Sequence, residues 1–192
     1  MKKEIYTQII GGKHKGKKLL LASLSTTRST KSILKESYFN TVQFDIVDRI
    51  FFEVFGGSGT MGLEAVSRGA KETYFIEIDK KAYSVLNKNI NYIDPQKAQS
   101  FLGDSFKIYH DVLNRINEPS FIYFDPPFDI RENMQDIYEK TISLIENTPK
   151  EKVELIAIEH LSSRDFPDTI GEFKKKKKKK FGKSSLSYYE KR

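Results

Sequence analysis

The residues Asp125-Pro126-Pro127-Phe128 join a carboxylate, two prolines and an aromatic ring, directly after the apolar run Phe121-Ile122-Tyr123-Phe124. Such a short, aromatic and branched run reads as a buried parallel strand. Neither proline has an N–H to extend a strand ladder, so the pair forces a stiff, extended turn at the strand's C-terminal end. In an open α/β sheet that edge is where ligands bind. The set suits gripping a planar base by its exocyclic amine. The Asp125 carboxylate and the Pro126 carbonyl can each accept one N–H, while the Phe128 ring stacks on the base. With both N–H groups engaged, the nitrogen lone pair can be aimed at an electrophilic methyl group. The competing reading is an ordinary Pro-Pro turn with Phe128 in the core, and only the surrounding elements can decide.

Those elements begin with Ile50-Phe51-Phe52-Glu53-Val54-Phe55, a core strand that runs into Gly56-Gly57-Ser58-Gly59-Thr60-Met61-Gly62 and then a helix from Leu63 to Arg68. The spacing Gly57-x-Gly59-x-x-Gly62 between a strand and a helix lets a nucleotide approach the backbone. Glu53, at the strand end, suits the ammonium of a methionine moiety and would repel a pyrophosphate. The second strand, Glu72 to Glu77, ends in an acid 15 residues after Gly62, where a ribose diol would lie. Ile78 can pack on an adenine, and Asp79 caps a helix over Lys80 to Ile93. A third strand near Ala98 to Leu102 leads to Gly103-Asp104-Ser105, where Asp104 can accept from an adenine amino group, cap the next helix, or both. Phe55, Ser58 and Ser105 complete the candidate cofactor set with Glu53, the three glycines, Glu77, Ile78 and Asp104.

After Phe128 a helix is expected over roughly Met134 to Ile145, then a strand from Val153 to Glu159. The rhythm of strands and helices indicates a doubly wound, mostly parallel sheet. It closes with an antiparallel hairpin, Thr169 to Phe181 and Ser184 to Tyr189. The lysine run from Lys174 to Lys180 reads either as strand with alternate lysines outward or as a frayed loop.

The N-terminal segment reads as a β-hairpin, Ile5 to Ile10 and Leu19 to Leu21, with a glycine-flexed basic tip. A helix follows, capped by Ser29 or Thr30, with Ile33, Leu34, Tyr38 and Val42 on its apolar face. Charge is divided unevenly. Residues 1–35 carry nine Lys/Arg against Glu4 alone, a net of +8, and residues 171–192 also reach +8, while 36–170 carry −9. An acidic body with two basic ends points to a polyanionic partner. Lys13, Lys15, Lys17, Arg28, Lys31 and Lys35 are the candidate phosphate contacts.

With 192 residues and 38% hydrophobic content the chain can bury a full α/β core. The absence of cysteine excludes disulfides, thiolate zinc sites and a cysteine nucleophile. His14, His110 and His160 have no ligand spacing and are expected at the surface or at edges, so no metal is expected. No run approaches membrane-spanning length, and Met1-Lys2-Lys3-Glu4 is not a signal core, so a cytoplasmic location is expected.

The tetrapeptide resembles the signature of S-adenosylmethionine-dependent amino-methyltransferases. Over nearly its whole length the chain resembles the RsmD family, bacterial methyltransferases that modify a guanine N2 in 16S ribosomal RNA. The residues that carry the resemblance are Ile10-Gly11-Gly12-Lys13, Arg28-Ser29-Thr30 through Tyr38-Phe39-Asn40, Glu53 through Gly62, Glu77-Ile78-Asp79, Asp125-Pro126-Pro127-Phe128, and Phe181-Gly182-Lys183 through Tyr188-Tyr189. The resemblance implies a Rossmann-like class I methyltransferase fold with a seven-stranded sheet. Residues 1–41 would form a basic hairpin-and-helix extension and 42–192 the catalytic core. It further implies S-adenosyl-L-methionine as cofactor, S-adenosyl-L-homocysteine as product, and 16S rRNA or the assembled or assembling 30S subunit as partner of a monomeric enzyme. Glu53 stands where the family usually has Asp, Gly56 where it has Ala, and Lys35 where Arg is common. A DNA adenine-N6 or cytosine-N4 methyltransferase shares the tetrapeptide, and a non-catalytic RNA-binding assembly factor would also explain the basic ends.

Overall fold

Strands buried on both faces need helices on both sides of a sheet, and the chain supplies them. The computed structural model describes residues 4–22, 28–127 and 136–192, with side chains in the first helix from residue 31 onward. A hairpin of β1 (Ile5–Gln8) and β2 (Lys18–Leu21) precedes α1 (Arg28–Val42). Then come β3 (Ile50–Glu53), α2 (Thr60–Ser67), β4 (Glu72–Glu77), α3 (Lys80–Ile93), β5 (Ala98–Leu102), α4 (Ser105–Arg115) and β6 (Ser120–Phe124). The chain ends with α5 (Ile137–Glu146), β7 (Val153–Leu161), β8 (Thr169–Ile170), β9 (Phe173–Phe181) and β10 (Ser184–Lys191). The main sheet has the order β5-β4-β3-β6-β7-β10-β9-β8. Its first five strands are parallel and its last three antiparallel. The expected seven strands are all present, and the two-residue β8 adds an eighth, split from β9 by a turn at Gly171.

Alternation along the central strands divides the core. Phe52, Ile122 and Phe124 face α4 and α5 with Tyr109, Val112 and Ile145. Phe51, Phe121 and Tyr123 face α1 with Tyr38, Phe39 and Val42. Tyr38 is the hub of that second layer, its ring 5.0 Å from Phe39, 5.2 Å from Tyr123 and 6.0 Å from Phe51, all edge-on. Edge-to-face pairs of this kind add about 0.5–1.5 kcal/mol each beyond burial.

Two expectations about α1 need correction. The helix already begins at Arg28, so Ser29 and Thr30 lie inside it and are not its cap. Its inner face is Leu34, Lys35, Tyr38, Phe39 and Val42, while Ile33 is 53% exposed. Ile33 sits on the flank, and Phe39 at i+5 from Leu34 fills the groove against β3. His160 is likewise buried, not superficial: β7 lies between β6 and β10, and its Nε2 pairs with Ser187 Oγ at 2.9 Å. Burial lowers its pKa and favours the neutral ring. Among the described residues no helix is long and apolar enough to cross a membrane.

The N-terminal hairpin is clamped to α2. Lys13 N–H donates to the Ser67 carbonyl at 2.7 Å, and Ser67 Oγ donates to the Gly11 carbonyl at 2.6 Å. Gly12 has φ +75 and a Cβ there would lie 1.8 Å from the Ser67 carbonyl oxygen, so no larger residue fits. Beneath it Glu64 is wholly buried and accepts from Ile10 N–H at 2.8 Å and Arg68 Nε at 2.8 Å, with Lys35 Nζ 3.4 Å away. Glu64→Ala would leave two cations and one amide without their acceptor. It is expected to destabilise the fold by about 3–5 kcal/mol, seen as a lower urea midpoint at unchanged slope.

Candidate active site

The chain runs outward from β3 through β4 to β5, then crosses back to β6, which pairs with β3 on its other side. Strand order reverses between β3 and β6, and a crevice opens there beyond their C-terminal ends. It holds a cavity of about 860 Å³, bordered by the loops after β3, β4, β5 and β6 and by α1 and the N-terminal hairpin.

Glu53 ends β3 on the inner wall, 4% exposed, its Oε2 accepting from Gly62 N–H at 2.8 Å. Gly62 must be glycine because a Cβ would sit 2.3 Å from the Phe75 ring, so α2 could not approach the sheet closely enough to offer that N–H. Burial raises the Glu53 pKa to about 8; the Gly62 N–H opposes this and Asp125 adds to it. A buried acid so placed would ionise readily once a cation came within reach.

Glu77 ends β4 and holds the glycine loop. One oxygen accepts from Gly57 N–H and the other from Asp79 N–H, both at 2.7 Å. Burial raises its pKa, against those two donors. Asp79 caps α3 through Ala82 N–H at 2.8 Å, and Asp104 caps α4 through Phe106 N–H at 3.0 Å. Ile78 is 65% exposed at the rim, and Phe55 packs on Phe106 with ring centres 5.4 Å apart. Ser58 Oγ accepts from Ala22 N–H at 3.0 Å, tying the hairpin to the loop. Gly57 and Ser58 border the cavity, whereas Gly59 and Gly62 shape the loop behind it. Ser105 borders it too, but its hydroxyl is donated to the Val54 carbonyl at 2.6 Å, which leaves it a structural part.

Asp125 follows β6 with its side chain about a third exposed, while Pro126 is buried and Pro127 half-buried. Phe128, expected to stack on a base, lies outside the described residues. Asp125 Oδ2 is 2.6 Å from Lys31 Nζ, which also lies 2.7 Å from Glu159 Oε1. Tyr123 OH donates to Glu159 Oε2 at 3.1 Å. Burial acts to lower the Lys31 pKa, but the two carboxylates together raise it above the ordinary lysine value. Glu159 is a site residue that sequence reasoning leaves as a strand end. A signal for it exists, because β7, like β3 and β4, carries an acid near its C-terminal end.

The six candidate phosphate contacts scatter. Lys13 and Lys15 are exposed at the hairpin tip, beside the C-terminal end of α2. That is one helix length, about 12 Å, from the cavity edge. Lys17 lies over the Tyr92 ring at 4.9 Å. The Arg28 side chain falls outside the described residues. Lys31 is drawn into the cavity wall, and Lys35 is buried, donating to the Gln8 carbonyl at 2.6 Å. Lys35 does not stand on an exposed phosphate-facing side, and Lys31, its side chain about a third exposed, is held by Asp125 and Glu159. The lysine run forms ordered strand β9. Lys175, Lys176 and Lys178 pair with Asp168, Glu190 and Asp165, and Lys177 lies 4.9 Å from the Tyr188 ring centre.

This sheet order, with its crevice at the β3–β6 reversal, is that of class I, Rossmann-like methyltransferases. Solved structures share it: a candidate methyltransferase from Escherichia coli has a TM-score of 0.76 at 27% identity, covering 97% of this chain and 98% of that one. A candidate methylase from Haemophilus influenzae has 0.73 at 28%, covering 97% and 99%. The family model described as conserved hypothetical protein 95 matches residues 7–190, and the chain belongs to this family, the RsmD family. The ribosomal RNA small subunit methyltransferase D of Haemophilus influenzae is 32% identical over 72% of this chain and 69% of its own length. Its Escherichia coli counterpart is 30% identical over 73% and 67%.

The position of Glu53 has a measurable consequence. Its folded pKa, about 8, lies above the ordinary value of 4.5, so between those values the folded state binds more protons and stability falls as pH rises. Glu53→Gln removes this loss. Its stability relative to wild type is expected to improve from pH 5 to pH 8 by at least about 1.4 kcal/mol, the equivalent of one pKa unit, in paired denaturant melts.

Proposed function

We propose that the protein methylates the exocyclic N2 amine of a guanine in small-subunit 16S ribosomal RNA, with S-adenosyl-L-methionine as donor. The single observation that carries this reading is Asp125, a partly exposed carboxylate fixed by two prolines at the strand reversal, in one cavity with the buried acid Glu53. The names of the relatives support ribosomal RNA as the substrate class. The donor set fits the cofactor in chemistry and in order. Glu53 would hold its ammonium, Glu77 its ribose diol and Asp104 its adenine amine, with Ile78 against the adenine and Phe55 in the adjoining wall. Gly57 and Ser58 give the backbone a close approach.

When bound, S-adenosyl-L-methionine supplies an electrophilic methyl group on sulfur and leaves as S-adenosyl-L-homocysteine. The chain's own part is to orient the amine and to manage charge. Asp125 and the Pro126 carbonyl each accept one N–H of the flipped-out guanine, which leaves the nitrogen lone pair free to face the methyl carbon. Phe128 is assigned the stacking face. As the N–C bond forms, the nitrogen becomes positive, and Asp125 balances that charge until one proton passes to it or to water. Alignment supplies much of the rate. The substrate would be free 16S rRNA or the 30S particle, met by a monomer in the cytoplasm.

The test is methyl transfer from labelled cofactor to unmodified 30S particles, free 16S rRNA and DNA, followed by nucleoside mass analysis. N2-methylguanosine is expected from RNA, and Asp125→Ala should lower its formation at least about 100-fold with cofactor affinity retained. Methyladenine in DNA would overturn the substrate class, and cofactor binding without any transfer would leave an RNA-binding factor. Replacing Lys13, Lys15 and Lys17 together by Glu tests whether the hairpin binds phosphates. The slope of log affinity on log salt should fall by about 0.7–0.9 for each phosphate no longer neutralised, and an unchanged slope would remove the hairpin from the interface.

A further inference from the structure

One ammonium serves two acids at this site. Lys31 comes from α1, Asp125 from the end of β6 and Glu159 from β7, so three elements converge on the Lys31 nitrogen. Glu159 is almost wholly buried, with Tyr123 OH on its second oxygen. We propose that Lys31 and Glu159 are a positioning pair for the transfer: the Lys31 ammonium, anchored on Glu159, holds Asp125 by one oxygen and turns it so that Oδ1 is the oxygen offered to the target amine. This rests on the reading of Asp125 as the amine's acceptor.

The geometry gives the reason. Asp125 Oδ2 is occupied by Lys31, so the carboxylate cannot rotate freely and its other oxygen is the one left to receive an N–H. Two carboxylates sharing one cation can both stay ionised, whereas without it one of them takes up a proton. Glu159 is near that limit already: burial first and Asp125 second raise its pKa, while Lys31 and Tyr123 hold it down. Other charges around Asp125 would not replace Lys31. Glu53 on β3 is itself an acid, raised by burial to a pKa of about 8, and Lys35, which also borders the cavity, is held by Glu64 and the Gln8 carbonyl. Tyr123, raised by burial and by both acids, stays protonated. On α5, Asp136 and Lys140 border the cavity but pair with each other at 2.7 Å.

The experiment compares wild type with Lys31→Met, Lys31→Arg, Glu159→Gln and the Lys31→Met/Glu159→Gln double variant. Carboxyl ¹³C NMR titration of the free protein is read first. Lys31→Met should move the Glu159 titration up by about one to three pH units, and Lys31→Arg should leave it close to wild type. Single-turnover methyl transfer at saturating RNA should then fall by up to about 100-fold in Lys31→Met with RNA affinity unchanged, no further in the double variant, and little in Lys31→Arg. A Lys31→Met protein that melts earlier but keeps the Glu159 titration and the wild-type transfer rate would overturn the proposal and make Lys31 an anchor for α1. A folded wild type that binds the cofactor but methylates no RNA would instead overturn the reading of Asp125, and the positioning role with it, whatever the Glu159 titration shows.

Discussion

A carboxylate removed from water is stable only where donors are built around it, and this requirement organises the molecule. Four buried or half-buried glutamates, Glu53, Glu64, Glu77 and Glu159, lie along or beneath the cavity. Each is met by groups from a different part of the chain: Gly62 for Glu53, the hairpin amide of Ile10 for Glu64, the glycine loop for Glu77, and α1 for Glu159. The N-terminal hairpin and α1 are thereby fastened to the sheet by charge as well as by apolar packing. Among the described residues seven acids and four lysines line the cavity, an excess of acid that a cationic ligand would meet. Such a field favours a ligand that carries an ammonium and a sulfonium, and disfavours free phosphates.

The basic ends complement this interior. Lys13 and Lys15 stand exposed at the hairpin tip, whereas in β9 Lys175, Lys176 and Lys178 are paired with acids and Lys179 reaches Ser37 and Thr41 of α1; none of these borders the cavity. Their positive charge and the acids of the crevice therefore lie apart on the molecule, so neither cancels the other.

Much of this was legible in the sequence because it depends on local pattern. The apolar runs fixed the strands, and the bounds of α3 and β5 matched their expected ones, since Asp79 and the turn before Asp104 punctuate the chain clearly. What could not be read was partnership. Lys31 meets Asp125 across 94 positions and Glu159 across 128, and no periodicity relates residues so far apart. A lysine beside polar neighbours reads as a surface charge, yet Lys31 and Lys35 turn inward because acids wait there. Ile33 and Phe39 show the same limit for apolar residues: Ile33 lies on the exposed flank of α1, while Phe39 packs against Phe51 of β3.

Strand β9 carries a different kind of information. Phe173 and Phe181 are eight residues apart, which in a regular strand would set both on one face. Instead Phe173 joins the core beside α5 and Phe181 packs toward α1. An irregularity opposite Tyr188 and Tyr189 takes up one residue, Lys176, and reverses the alternation. The seven lysines between the two phenylalanines are interchangeable, so a slip by one position would present the same side chains everywhere along the run. The homopolymer is thus silent about its own alignment. Alignment is written at its ends, by two aromatic rings bound for opposite cores and by the turn at Gly182, and the stretch between serves as a spacer whose length, not its spelling, is what the fold reads.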